Sequence, residues 1–342
     1  MKIDVFNHIY PKAYFDKMIE VLPNGKEMHK RVLAIPCIVN LDERFRIMDK
    51  FADYVQVICL GGPPQEVYGP PPVSTAMARL ANDGMAELVR RHPDRFPGFV
   101  ASLPMNDPEG LLIEARRAVK ELGALGVKIF TNVRGRALDS AETMPLFDLM
   151  AELDMPIWLH PARGADFADY KGEPKSRYEI WWTFGWPYET SAAMARLVFA
   201  GLFDRHPNLK IITNHMGGMI PYFAGRVGPG WDQLGSRTAD EDYSLLLKKL
   251  EKRPIDYFRM FYADTALFGS RAATLCGLDF FGTDKVLFAS DAPFDPEKGS
   301  AFIRWTIDIL DNLDITAAAR KAIYEDNARK LLKLNSRCDA TS

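Results

Sequence analysis

LKIITNH, residues 209–215, is a short apolar run that ends on a polar residue and then breaks into loop. Three other stretches have the same form: KIDVFNH (2–8), PIWLHP (156–161) and VLFASDAP (286–293). Each is the length of one strand and delivers His8, His160, His215 or Asp291 at its C-terminal end. If the four are parallel strands of an (α/β) barrel, those ends meet on the face where such barrels build their active sites. Three imidazoles and a carboxylate gathered there form a donor set for a divalent metal. One buried histidine beside a strand is ordinarily a satisfied polar group; the repetition is what argues for a site. The chain has six histidines. His92 (RRHPDR) and His206 (DRHPNLK) sit at basic helix ends before proline and are read as structural, while His29 carries no signal.

Outward from these runs, strand and helix alternate. A helix is expected through Arg44 to Phe51, a strand over 54–60, then GGPPQEVYGPPP (61–72), which is read as loop because each proline removes a backbone donor. A helix over 75–91 follows, then a strand over 99–102. Asp107-Pro108 marks an N-cap with proline at the first helical position, opening a helix to about Leu122. Strands over 126–130, 156–159, 209–213, 260–263 and 285–289 alternate with helices near 141–153, 188–204, 270–279 and within 299–334. The count is eight strands, the first at the N-terminus, with no linker and no internal repeat. That is the order of a single α/β domain, a (β/α)8 TIM barrel spanning 1–342. Residues 12–42 and 164–187 break the alternation and are read as insertions over the C-terminal face.

Composition narrows the function. Lys+Arg at 43 against Asp+Glu at 45 leaves a formal net charge of −2, which offers no basic surface for nucleic acid and no polybasic segment for a membrane. No run approaches the roughly 18 apolar residues of a membrane span, and the N-terminus enters a strand at once. Cys37, Cys59, Cys276 and Cys338 lack CxxC spacing and are read as reduced structural thiols. A cytoplasmic enzyme acting on a small soluble molecule is the expectation.

A series of motifs extends over nearly the whole chain: His8-Ile9 with Pro11, RFRIMD (44–49), RFPGFVASLPM (95–105), ELGALGVKIF (121–130), WLHPA (158–162), WPYETSAAM (186–194), GLFDRHPNLKIITNHMGGMIPYFAGR (201–226), FYADTA (261–266) and ASDAPF (289–294). In order and spacing they resemble the metal-dependent amidohydrolase superfamily, specifically the branch containing aminocarboxymuconate-semialdehyde and γ-resorcylate-type decarboxylases. The resemblance implies His8, His160 and Asp291 as ligands of one divalent metal, with His215 and Asp291 handling protons. Zinc suits two imidazoles and a carboxylate, with manganese or magnesium as alternatives. It also implies that Arg226 reaches a substrate carboxylate, across a subunit boundary in a homodimer or higher homo-oligomer; on its residues alone Arg226 reads equally as a surface arginine.

One position departs from that pattern. Relatives carry His-x-His or a Glu-x-Ala variant at the end of the first strand, whereas this chain has Phe6-Asn7-His8, and a phenyl ring cannot ligate. Three protein donors remain, with His215 available as a fourth, and three donors plus water still make an open catalytic site. Lys128 stands mid-run in GVKIF; binuclear relatives use a lysine at the end of that strand as a bridge, but with a ligand missing it is read as a polar or substrate-contacting residue. The segment YEIWWTFGWPY (178–188) places six aromatic side chains, Trp186 among them, in eleven residues. It serves as a water-excluding pocket wall, a subunit interface, or both. The reaction expected is non-oxidative decarboxylation of a hydroxylated aromatic or related unsaturated carboxylic acid. Metal-assisted hydrolysis or hydration is the competing chemistry, and the loss at Phe6 leaves a vestigial, non-catalytic member as a third reading.

Overall fold

Strands covered by helices on one side and by a filled barrel on the other need apolar residues on both faces, and the strands of this chain are apolar on both. A computed structural model describes residues 1–22 and 28–334, so Cys338 and part of the 12–42 stretch lie outside the described residues. The strands are β1 (Lys2–Ile9), β2 (Tyr54–Leu60), β3 (Gly98–Ser102), β4 (Val127–Phe130), β5 (Asn132–Val133), β6 (Arg136–Ala137), β7 (Ile157–His160), β8 (Ile211–Thr213), β9 (Tyr262–Asp264) and β10 (Val286–Leu287). Eight of them lie side by side and parallel in the order β1-β2-β3-β4-β7-β8-β9-β10. The ring is completed by backbone bonds between β1 and the chain after β10: Val5 N–H donates to Phe288 (3.0 Å), Asp291 N–H to Phe6 (2.9 Å) and His8 N–H to Ala292 (2.7 Å). The (β/α)8 barrel expected from the sequence is thus the observed fold.

The register of β1 shifts between Asp4 and Asn7, where three residues span what two span on β2. Ile3 and Val5 pack inside the barrel with Val57, Val100, Trp158 and Leu287; beyond the shift Phe6 joins the same interior cluster. This bulge changes which residues face inward, so that Phe6 and His8 point into the barrel and Asn7 points out. Arg44, buried on the helix Leu41–Met48, locks the result: its guanidinium donates to the His8 carbonyl (2.7 Å), to Asn7 Oδ1 (2.5 Å) and to Gln56 Oε1 (2.8 Å). Asp4 secures the same strand to the seam, accepting from the backbone N–H of Phe6 and Ser290 (both 3.2 Å) and from the hydroxyls of Tyr54 and Ser290.

Helix starts follow the capping signals. Asn40 accepts from Asp42 and Glu43, Asp107 from Gly110 and Ser270 from Ala273, opening helices Leu41–Met48, Pro108–Lys120 and Arg271–Phe281. One stretch differs from the sequence reading. GGPPQEVYGPPP contains a short 3-10 turn at Gln65–Tyr68, and its last two prolines begin the helix Pro71–Arg91 rather than preceding it. Proline is tolerated there because the first N–H groups of a helix have no partner to lose. Not anticipated were helices Lys12–Val21 and Met28–Leu33 within the first insertion, helix Ile180–Thr183 within the second, and the β5–β6 hairpin, whose turn is held by Asn132 Oδ1 accepting from Gly135 (2.8 Å). No helix among the described residues is long and apolar enough to cross a membrane.

Replacing Asp4 by alanine leaves two buried hydroxyls and two N–H groups without their acceptor, and should lower the unfolding free energy on the order of 3 kcal/mol in urea titrations. Burial pushes the Asp4 carboxyl up to about 6, against the bonds from Ser290, Tyr54 and Phe6 that pull it down. The folded chain therefore holds this proton more tightly than the unfolded one does. The associated stability is fully present below the ordinary value of 3.8 and is lost as pH rises through about 6. The stability of wild type relative to Asp4→Asn should accordingly fall between pH 4 and pH 7.

Candidate metal centre and active site

His8 ends β1, His160 ends β7, and Asp291 follows β10, and one donor atom from each lies within 4.8 Å of the others. All three are buried. His8 Nε2 is 2.9 Å from Asp291 Oδ1. Burial alone would raise the Asp291 carboxyl, but the neighbouring imidazoles of His215 and His8 hold it well below the usual carboxylate range. Burial, reinforced by the charges of His215, Lys128 and His8, holds His160 well below the ordinary imidazole value, so it is neutral and ready to ligate. Phe6 fills the space between the imidazoles, its ring centroid 4.7 Å from that of His8, 5.5 Å from His160 and 6.1 Å from His215.

His215 enters on a strained turn. After β8, the non-glycine residues His215 (φ 55°) and Met216 (φ 54°) are left-handed, and Gly217 (75°) and Gly218 (60°) also have positive φ. Each non-glycine residue there costs on the order of 1–2 kcal/mol. Asp264, at the end of β9, stabilises the turn by accepting from the His215 N–H (2.9 Å) and from Asn214 Nδ2 (2.6 Å). Asp291 is likewise left-handed (φ 62°). His215 Nε2 stands 3.9 Å from Asp291 Oδ2, too far for a hydrogen bond, and has no partner among the described residues.

Above these groups opens a cavity of about 1170 Å³, with His8, His160 and Asp291 in its wall. His215 lies just behind it, its ring 5.4 Å from that of His160 and 5.5 Å from that of Phe268, both of which line it. Trp186 lines the cavity 5.4 Å from His160, and its indole N–H donates to the Arg163 carbonyl (3.2 Å). Leu22, Lys30, Arg31 and Ala34 from the first expected insertion, and residues between Gly164 and Trp186 from the second, also line the cavity. Lys128 is not among the lining residues; its buried amine donates to the Leu60 carbonyl and sits 5.0 Å from the Phe130 ring. Arg226 is also outside the cavity, exposed, and over the ring of Phe223. Sequence reasoning missed three groups that set the geometry, Asp4, Arg44 and Asp264, although each is a charged residue in an otherwise apolar or patterned stretch. It also missed Glu66, a lining residue whose carboxyl oxygens have no partner among the described residues and which burial pushes up to about 7. Nothing in its proline-rich surroundings marks it.

The amidohydrolase family profile matches residues 42–334, the greater part of this barrel. The chain is a member of the amidohydrolase family. It is 33% identical to the γ-resorcylate decarboxylase of Polaromonas sp. over 328 residues, covering 90% of both chains. It is 28% identical to the 2-amino-3-carboxymuconate-6-semialdehyde decarboxylase of Dictyostelium discoideum, over 86% of this chain and 82% of that one. Among solved structures it matches a dihydroxybenzoic acid decarboxylase of Polaromonas sp., with bound manganese and the inhibitor 2-nitroresorcinol, at a TM-score of 0.79 and 28% identity, covering 98% and 97% of the two chains.

The residues of this amidohydrolase fit a divalent ion. Three buried donors converge, His160 is held neutral, and the buried atoms His160 Nδ1 and His215 Nε2 have no partner among the described residues. Elemental analysis of the purified protein should find one divalent metal per chain, and Asp291→Ala or His160→Ala should lose it. Phe6→His, which adds a donor facing the same point, should tighten metal binding by on the order of tenfold in competition with a chelator, at the lower end of what shell changes do to such sites.

Proposed function

We infer that this amidohydrolase is a metal-dependent, non-oxidative decarboxylase of a hydroxylated aromatic or related unsaturated carboxylic acid. The observation that carries this reading is the His215 Nε2, without a hydrogen-bond partner among the described residues and beside Asp291, just behind an aromatic-lined cavity whose wall holds a three-donor metal centre. The decarboxylase relatives support it. His8, His160 and Asp291 would hold a divalent ion, which would supply Lewis-acid stabilisation of anionic charge on the substrate.

The protein's own groups do the rest. Phe130, Trp186, Phe268 and Phe294 surround the centre and exclude water, which strengthens every charge interaction inside it. His215 delivers a proton from Nε2 to the carbon that loses CO2, and Asp291, 3.9 Å away, stabilises the charged imidazole before transfer. The bond to the carboxyl carbon breaks as the carbon–hydrogen bond forms, so the acid becomes the shortened arene or alkene plus CO2.

Zinc suits the two imidazoles and carboxylate, and manganese is the alternative because the Polaromonas structure holds it. The chain works as one barrel domain, with 164–187 and the described residues of 12–42 roofing the mouth. Exposed Tyr178, Phe184, Tyr188 and Tyr222 are apolar enough to bury in a homodimer or larger homo-oligomer, and Arg226 then serves a neighbouring subunit's site rather than its own. Lys128 acts on substrate only through the charge it adds beneath His160. Free Cys37, Cys59 and Cys276 fit a cytoplasmic location.

His215→Asn should keep its metal and its fold while turnover falls by roughly 10²–10⁴-fold, the usual contribution of a positioned proton donor. Run in deuterium oxide, the wild-type enzyme should place deuterium on the carbon that bore the carboxylate and release CO2. Cleavage of a lactone or amide with solvent oxygen in the product, and no CO2 from any hydroxylated aromatic acid, would assign the site to hydrolysis.

A further inference from the structure

The aromatic side chains of the cavity stand in two tiers. Phe130 and Trp186 each pack against His160 at 5.4 Å, Phe294 against His8 at 5.2 Å, and Phe268 against His215 at 5.5 Å. These four touch the catalytic groups and are enough to clasp one ring. A further tier lies beyond them: Trp181 and Trp182 pack edge-on against Trp186 at 5.7 and 6.3 Å, and Phe302 packs on Phe268 at 4.8 Å. All three line the same cavity, and their ring pairs are with other aromatic side chains rather than with a histidine.

The second tier is built with care. The Trp182 indole N–H donates to Glu179 Oε2 (3.0 Å), which orients its ring, and the Trp181 backbone N–H donates to Ser176 Oγ (3.0 Å), which holds the main chain that carries the other. Both remain only partly buried. A single-ring hydroxybenzoate seated at the metal centre would leave this apolar surface wet. The cavity, at about 1170 Å³, also exceeds the roughly 300–1,000 Å³ typical of sites for drug-sized ligands, which are themselves several times larger than one benzoate ring. Size and lining agree.

Resting on the decarboxylase reading, we propose that the substrate is a hydroxylated aromatic acid bearing a second aromatic ring or comparable apolar arm, which packs against Trp181 and Trp182. The carboxylate end stays with His8, His160 and Asp291, and the arm runs outward under the loop 164–187. Specificity is then divided: the inner tier fixes the reacting ring for His215, and the outer tier selects for length.

The test compares 2-hydroxybenzoate with its 4-phenyl and 5-phenyl derivatives on the metal-loaded full chain, by calorimetric titration and by CO2 release. At least one phenyl derivative should bind on the order of tenfold more tightly than the parent acid, as burial of a ring on a tryptophan face predicts. Trp182→Ala should bring that ratio down toward one, and Trp182→Phe, which keeps a ring, should retain part of it. Equal binding of parent and phenyl acids by the wild-type enzyme, or a ratio that Trp182→Ala leaves intact, overturns the assignment while the decarboxylase reading stands. Binding of all three acids without CO2 release from any, while the ratio follows Trp182, overturns the decarboxylase reading and keeps the subsite. No binding of any of them overturns both.

Discussion

One extra residue in β1 decides where the chemistry sits. A strand alternates its side chains strictly, so the inward positions Ile3 and Val5 would be followed by Asn7, leaving His8 outside the barrel. The bulge between Asp4 and Asn7 changes the parity, and Phe6 and His8 turn inward instead. A bulge leaves ladder groups without their ordinary partners, and here side chains supply them: Asp4 accepts from Phe6, while Asn7 and the His8 carbonyl accept from Arg44. The same strand closes the barrel against residues 288–292, so the bulge also sets Asp291 beside His8. Metal centre and barrel closure are thus one piece of backbone.

Two of the functional side chains are held in conformations their residue types disfavour. His215 and Asp291 are both left-handed, and the surroundings must outweigh that strain. Buried carboxylates do so in each case: Asp264 accepts from the His215 N–H, and Asp4 accepts from Ser290, the neighbour of Asp291. Burial raises both Asp4 and Asp264, which shows how costly it is to keep acids there. The return on that cost is precision, since a proton donor displaced by 1 Å loses much of its effect.

Phe6 gives this centre its particular character. A phenyl ring packs among three imidazoles, so the floor beside the three converging donors is apolar. Fewer donors leave more of a bound ion's coordination open to substrate and water. An apolar floor keeps His160 neutral and strengthens the field at Asp291. The aromatic wall from Phe130 to Trp182 continues the same dry environment outward.

The barrel was legible in the sequence because its signals are local: apolar runs of strand length, Asp107-Pro108 at a helix start, and breakers between. So were His8, His160, His215 and Asp291, since each ends a strand and all strand ends of a parallel barrel share a face. Other features depend on residues far apart in the chain. Only the folded chain shows that the bulge turns His8 inward, that Asp4 reaches Ser290 across 286 positions, and that Asp264 holds the His215 turn. Lys128 and Arg226 illustrate the same limit from the other side. Their residue types suit substrate binding, but the packing buries one against Leu60 and leaves the other outside the cavity. Sequence fixes what a side chain can do chemically; which neighbours it meets, and so whether it does it, follows from closing the ring.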